Sequence, residues 1–246
     1  MSITTPEELE RLKAAGAIAR QVLHAMKEQV RPGVTTAELD AVGNQVMEAQ
    51  GAKSAPAMVY KFPGGSCISV NDEIVHGIPR ERALKEGDLV KLDVTIEKDG
   101  FMADTAMTVA VGEVDPEQRK LIACAERAFQ KAMLVARAGF RVFEIGRVVE
   151  REVRRDGFSV VQDLCGHGIG RTIHEAPQVP NYPDPRAKSV LTEGLVITVE
   201  PIIAAGTGRQ HLDKDGWTVR TADCRPAAHY EHTIVITRGA PLVLTA

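Results

Sequence analysis

The sequence predicts an α+β fold in which helices cover one face of a mainly antiparallel sheet. Three observations carry that expectation. Stretches with apolar residues at helical spacing come in pairs, and strand-like stretches follow each pair. Lys98-Asp99-Gly100 joins two apolar runs, a strong hairpin signal. The helix–helix–strand order then recurs at a near-constant offset.

The elements follow in order. Thr5-Pro6-Glu7-Glu8 combines a capping hydroxyl, a proline suited to the first turn and acids that suit the helix dipole. Leu9, Leu12, Ala15, Ile18, Ala19, Val22 and Met26 continue at helical spacing until Arg31-Pro32-Gly33 breaks the pattern. Thr36 to Gln50 predicts a second helix, with Leu39, Val42, Val46 and Met47 on one side and Gly51 at its end. Residues 115 to 157 repeat the plan: Pro116 opens a helix, Arg137-Ala138-Gly139 breaks it, and Val142 to Asp156 form another that ends at Gly157. At an offset of 106, Arg31 falls on Arg137, Gly33 on Gly139, Glu38 on Glu144, Leu39 on Ile145, Val42 on Val148 and Gly51 on Gly157. At an offset of 107, Glu86-Gly87 falls on Glu193-Gly194 and Asp93 on Glu200. The expectation is one catalytic domain over residues 1–246, internally duplicated, with halves of about 1–112 and 113–246.

Strands are expected over Leu89 to Ile96 and Met102 to Val111, and in the second half over Leu195 to Glu200, Trp217 to Thr221 and Tyr230 to Thr237. With Asp99-Gly100 as a two-residue turn, Lys98 pairs with Phe101 and Thr95 with Asp104. Asp93 shares a face with Thr95, so Asp93 and Asp104 become diagonal cross-strand neighbours.

Composition narrows the functional classes. The 246 residues are 44% hydrophobic and 26% charged with a net charge of −3, an ordinary globular balance with ample material for a core. The charge gives no footing for nucleic acid, and 4% aromatics leave few stacking platforms. No apolar run approaches a membrane span, and the acidic, amphipathic start predicts no leader peptide. The four cysteines, Cys67, Cys124, Cys165 and Cys224, form no CxxC pair, so reduced thiols and a cytoplasmic location are expected.

Asp93, Asp104, His167, Glu200 and Glu231 lie on or beside short apolar runs, in the phrases KLDV, ADTA, CGHGIG, TVEP and YEHT. An acid among buried strand residues is costly unless something cationic pairs with it. Taken singly, each has an ordinary explanation: a salt-bridged acid, a turn acid, a loop histidine, an exposed strand end. Taken together they suit two divalent cations, because four carboxylates cancel four positive charges and a bridging hydroxide can serve as nucleophile. Oxygen-rich donors with one imidazole favour Mn²⁺, Fe²⁺, Co²⁺ or Mg²⁺. The lack of paired cysteines excludes a thiolate zinc site.

Six segments, CISVNDEIVHGIP (67–79), VKLDVTIEKDGFMADTAMTVAVG (90–112), CGHGIGRTIHEAPQVPNY (165–182), ITVEPII (197–203), DGWTV (215–219) and YEHTIVIT (230–237), closely resemble methionine aminopeptidase of type I, the bacterial kind. The resemblance covers nearly the whole chain. It implies a pseudo-twofold pita-bread fold, a curved antiparallel sheet with two helix pairs on its outer face, and removal of the initiator methionine from nascent chains when the second residue is small. It also implies two divalent metal ions (Co, Mn, Fe or Zn), a monomer, and transient contact with the ribosome through the domain's own surface. Position by position, Asp93 would hold one metal, His167 and Glu200 the other, and Asp104 and Glu231 both. Glu200 would also accept the proton of the attacking water. His174 would hydrogen-bond the scissile carbonyl, and His76 the substrate amide near the leaving amine. Val59, Phe62, Cys67, Ile173 and Trp217 would surround the methionine side chain. Three residues depart from the family: Ile173 where an aromatic is common, His229 where glutamine or a similar polar residue is familiar, and Lys91 two places before Asp93.

A proline-directed peptidase of the same fold would use the same five ligands, but normally carries a substantial domain ahead of the catalytic one. A type II aminopeptidase would carry a long helical insertion between the second histidine and the last glutamate. Only an irregular, brief stretch, 201–229, is expected here. A binding module without chemistry would have lost ligands, whereas all five are present.

Overall fold

The computed structural model describes residues 1–246. Helix α1 (Pro6–Glu28) starts at Thr5, whose hydroxyl accepts the Glu8 N–H at 3.3 Å. Helix α2 (Thr36–Ala49) opens with a capping box in which Thr35 and Glu38 satisfy each other's N–H groups. The short helix α3 (Ala55–Tyr60) is capped by the Ser54 hydroxyl and leaves through Lys61 in the left-handed conformation. Helix α4 (Pro116–Met133) has its own capping box from Asp115 and Gln118, whereas α5 (Val142–Arg155) has no side-chain cap. Gly51 and Gly157 have φ of 60° and 86°, so each closes the second helix of its pair where a β-carbon would be strained.

Antiparallel strands build the main sheet in the order Lys53–Ser54, Leu89–Lys98, Phe101–Ala110, Glu231–Val235, Val196–Val199, Cys165–Gly168 and Glu175–Pro180. Cys67–Val70 adds to Leu89–Lys98, and Leu242–Val243 to Glu231–Val235. The hairpin has the expected register: Lys98 faces Phe101 and Thr95 faces Asp104. Asp99 and Gly100 have φ of 50° and 82°, the paired positive values that a two-residue hairpin turn requires. The order reads the same from both ends of its centre. Phe101–Ala110 and Glu231–Val235 are the inner pair, with Leu89–Lys98 and Val196–Val199 flanking them and Cys67–Val70 and Cys165–Gly168 outside those.

Alternation along the strands separates core from site. Val90, Leu92, Val94 and Ile96 join one core with Leu12, Leu23 and Met26 of α1 and Leu39 of α2. Each of these fully buried side chains contributes about 1.5–3 kcal/mol. Asp93 and Thr95 therefore point to the opposite face. Ile197, Val199 and Ile234 join a second core with Leu121 and Phe129 of α4 and Ile145 and Val149 of α5. The curved sheet with flanking helices is the α+β architecture expected from the sequence.

The stretch 201–229 is more ordered than the sequence suggested. Ile202–Ala204, Gln210–Leu212, Val219–Thr221 and Ala227–His229 are strands that belong to two small three-stranded sheets. Each is three residues long; Val219–Thr221 falls within the expected strand Trp217 to Thr221, while the others depend on partners far off in the chain, such as Ser159–Val160 for Ile202–Ala204, which no local periodicity announces.

Candidate metal centre

Five adjacent strands of the main sheet each deliver one of the five expected ligands. Asp93 comes from Leu89–Lys98, Asp104 from Phe101–Ala110, Glu231 from Glu231–Val235, and His167 from Cys165–Gly168. Glu200 follows Val199 directly. Threonines pin the backbones. The Asp104 N–H donates to Thr233 Oγ1 at 2.9 Å, and that hydroxyl donates to the Asp104 carbonyl at 2.8 Å. The Thr105 hydroxyl donates to the Glu231 carbonyl at 2.9 Å, and the Thr198 hydroxyl to Glu200 Oε1 at 3.0 Å.

His167 is aimed by its other nitrogen. Nδ1–H donates to the Gly168 carbonyl at 2.9 Å, which leaves the Nε2 lone pair facing Glu200 Oε1 at 3.6 Å and Asp104 Oδ2 at 4.0 Å. Burial lowers its pKa, so the ring is neutral, the form in which imidazole binds a cation.

The carboxylates are held against their own charge. Burial, then Asp104, pushes the Asp93 carboxyl well above the ordinary range. Burial, then the neighbouring acids, does the same to Glu200 and Glu231. Burial raises Asp104 as well. Asp104 Oδ1 and Glu231 Oε1 are buried without a hydrogen-bond partner. Unpartnered acids in such a cluster are a costly arrangement in the absence of cations and a fitting one with them. The ligand atoms of Asp104, His167 and Glu231 lie within 4.8 Å of one another, as do those of Glu200, His229 and Glu231. The donor set therefore fits a dinuclear centre for divalent ions, mainly of oxygen donors.

A cavity of about 620 Å³ opens over this cluster. Its apolar wall includes Phe62, Cys67, Ile173 and Trp217, with Phe62 and Trp217 meeting edge to face at 5.3 Å. Cys67 faces Asp93 across the strand pair, and burial keeps its thiol protonated. Val59, expected in this wall, does not line it. It is 42% exposed on α3, and the same short helix sends Pro56 and Tyr60 into the cavity instead. One helical step separates Val59 from Tyr60, and about 100° of rotation turns Val59 away from the cavity.

His76 and His174 both line the cavity. His76 directly follows the strand Glu73–Val75, with φ of 58°. Its surface is open to the cavity, yet protein surrounds it, and that desolvation, then His174, lowers its pKa to about 4. His174 precedes the strand Glu175–Pro180 and meets the ring of His167 edge-on, with centroids 4.3 Å apart. The Tyr60 hydroxyl lies 2.6 Å from His174 Nδ1. Desolvation, then His167, lowers the pKa of His174.

Sequence reasoning noted His229 only as a departure and assigned it no role. The ring is 2% exposed and lines the cavity, and burial lowers its pKa to about 3. Tyr60 was missed entirely. A Ser-Ala-Pro start at residues 54–56 was the available signal for the helix that carries it.

The profile of metallopeptidase family M24 matches residues 10–238. The chain is 45% identical to methionine aminopeptidase 2 of Bacillus subtilis over 247 positions, covering 100% of this chain and 99% of that one. It superposes on the methionine aminopeptidase structure from Thermotoga maritima with a TM-score of 0.96 at 34% identity, covering 100% and 99% of the two chains. With the enzyme from Rickettsia prowazekii the TM-score is 0.95 at 37% identity, covering both chains in full. The chain belongs to metallopeptidase family M24, among its type I methionine aminopeptidases.

Proposed function

We propose that this metal-dependent hydrolase removes the initiator methionine from nascent polypeptides whose second residue is small. The observation that carries the reading is the cavity itself. Its floor is the five-ligand cluster, and its wall of Phe62, Cys67, Ile173 and Trp217 offers the apolar, aromatic surroundings that suit a thioether. Asp93 would hold one ion, His167 and Glu200 the other, and Asp104 and Glu231 both. Two divalent ions held there would supply Lewis-acid polarisation of the scissile carbonyl and lower the pKa of the attacking water.

The chain's own residues do the rest. Glu200 accepts the proton of the attacking water; its Oε1 is oriented by the Thr198 hydroxyl. His174 donates Nε2–H to the carbonyl oxygen as negative charge develops on it. Tyr60 O–H donates to Nδ1 of the same ring and so places the ring proton on Nε2. His76 hydrogen-bonds the substrate amide beside the leaving amine. Phe62, Cys67, Ile173, Trp217 and Tyr60 close around the methionine side chain.

The same reading makes nascent-chain N-termini the partner, with transient ribosome contact, a monomeric state and a cytoplasmic location. No helix is long and apolar enough to cross a membrane. The halves 1–112 and 113–246 are, in this reading, duplicates in a single domain. Support comes from the mirrored strand order, which puts Asp93 and Glu200 on corresponding flanking strands and Asp104 and Glu231 on the inner pair. The test is release of methionine from a Met-Ala-Ser peptide by metal-free protein given each divalent ion in turn. Metal-dependent release that collapses for Met-Lys peptides supports the assignment. No release with any ion indicates a binding module, and equal cleavage of both peptides rejects the closed site.

A further inference from the structure

His229 is a buried imidazole that the mechanism above does not use. Its strand, Ala227–His229, pairs His229 with Ile202, and its backbone is fixed twice by one side chain. The His229 N–H donates to Thr108 Oγ1 at 2.8 Å, and the Thr108 hydroxyl donates to the His229 carbonyl at 2.9 Å. The ring direction is thus imposed by the fold. Neither ring nitrogen has a hydrogen-bond partner, although the residue is 2% exposed. Such a ring is costly unless its site supplies something further.

Two carboxylate oxygens are nearest to it. Nε2 lies 3.5 Å from Glu231 Oε2 and 3.6 Å from Glu200 Oε2. These separations are long for hydrogen bonds. They are natural for neighbouring ligands of one cation: metal bonds of about 2.0–2.2 Å at ordinary angles put adjacent ligand atoms about 3.0–3.6 Å apart. One ligand atom from each of Glu200, His229 and Glu231 also falls within a 4.8 Å span.

We propose that His229 is a second imidazole ligand of the metal centre, giving its Nε2 to the ion shared by Glu200 and Glu231. The proposal rests on the dinuclear centre described above. It makes the site of this chain richer in nitrogen than one histidine would. A second imidazole favours borderline ions such as Co²⁺ and Zn²⁺ over the harder Mn²⁺ and Mg²⁺. It also gives Nε2, one of the two unmet ring nitrogens, a partner.

The experiment loads metal-free protein with Co²⁺ and records the proton NMR spectrum, in which each cobalt-bound histidine gives one strongly shifted, exchangeable ring N–H signal. Two such signals are expected in the unaltered protein, from His167 and His229, and one in His229→Gln. Glutamine keeps a side-chain N–H donor, so loss through a missing hydrogen bond alone is controlled for. The ratio of Co²⁺ to Mn²⁺ affinity should fall by about tenfold or more in His229→Gln. One signal in the unaltered protein, or an unchanged affinity ratio in the variant, overturns the ligand role and leaves the dinuclear centre standing. Failure of Co²⁺ to bind at all overturns both.

Discussion

Tyr60→Phe isolates the part of the mechanism that this chain builds for itself. The substitution removes one hydroxyl, 2.6 Å from His174 Nδ1, and leaves the aromatic ring, whose centroid lies 5.6 Å from the imidazole. Tyr60 is 44% exposed, so water competes for the bond and its net worth sits in the ordinary range of about 0.5–1.5 kcal/mol. At 1.36 kcal/mol per factor of ten, kcat should fall by about 2- to 13-fold. Removing the donor itself, in His174→Ala, should cost about 10²–10³ in kcat with metal content intact. The two changes act through one ring, so Tyr60→Phe on top of His174→Ala should cost nothing further. The assay is steady-state release of methionine from Met-Ala-Ser by the four proteins of that cycle, with metal content measured in each. Additive losses, or a Tyr60→Phe rate within experimental error of the unaltered enzyme, would refute the idea that Tyr60 sets the His174 proton.

Asp104→Ala removes a carboxylate shared between the two ion positions, so both ions should be lost on dialysis; two tightly held ions in the variant would reject sharing. The raised pKa values of Asp93, Glu200 and Glu231 carry a definite sign. Their protonated forms are favoured in the fold, so their contribution to stability is present below the ordinary carboxylate pKa and is lost as pH rises through the raised values. His76 and His229, held at about 4 and about 3, act oppositely, adding stability above the ordinary histidine pKa and losing it as pH falls through those values. The gain in Tm on adding Mn²⁺ should therefore grow as pH rises above the acid range, and metal uptake should release protons in calorimetry across buffers of different ionisation enthalpy; zero proton release contradicts this. Glu73 is 2% exposed and meets Arg80, Arg82 and Arg220. Glu73→Gln should cost about 1.5–3 kcal/mol in urea unfolding, since it removes the buried carboxylate shared by three partly exposed arginines, on the strand that leads to His76. A change below about 1 kcal/mol would show the cluster to be screened by water.

What the sequence made legible was local or nearly so. Asp99-Gly100 dictates a turn with two positive φ values, and that turn alone fixes the register that brings Asp93 beside Asp104. Thr5, Thr35 and Pro116 announce helix starts through capping chemistry that acts within one turn. The harder parts depend on chain segments that meet from far away. Glu231–Val235 inserts between Phe101–Ala110 and Val196–Val199, and only that order places Glu231, Glu200 and His229 together. His229 looked like an isolated departure because Thr108, which fixes its backbone, lies 121 positions away. Val59 was misplaced for a different reason. α3 is six residues long, too short for periodicity to reveal which side faces the cavity.

The central claim is that the cluster on five adjacent strands holds two ions together. Crystals of the full chain grown with Mn²⁺, measured for anomalous scattering, test it directly. The account predicts two anomalous peaks inside the ring formed by Asp93, Asp104, His167, Glu200 and Glu231, with Asp104 and Glu231 touching both. A single peak, or manganese bound only outside that ring in protein that still releases methionine, would contradict it.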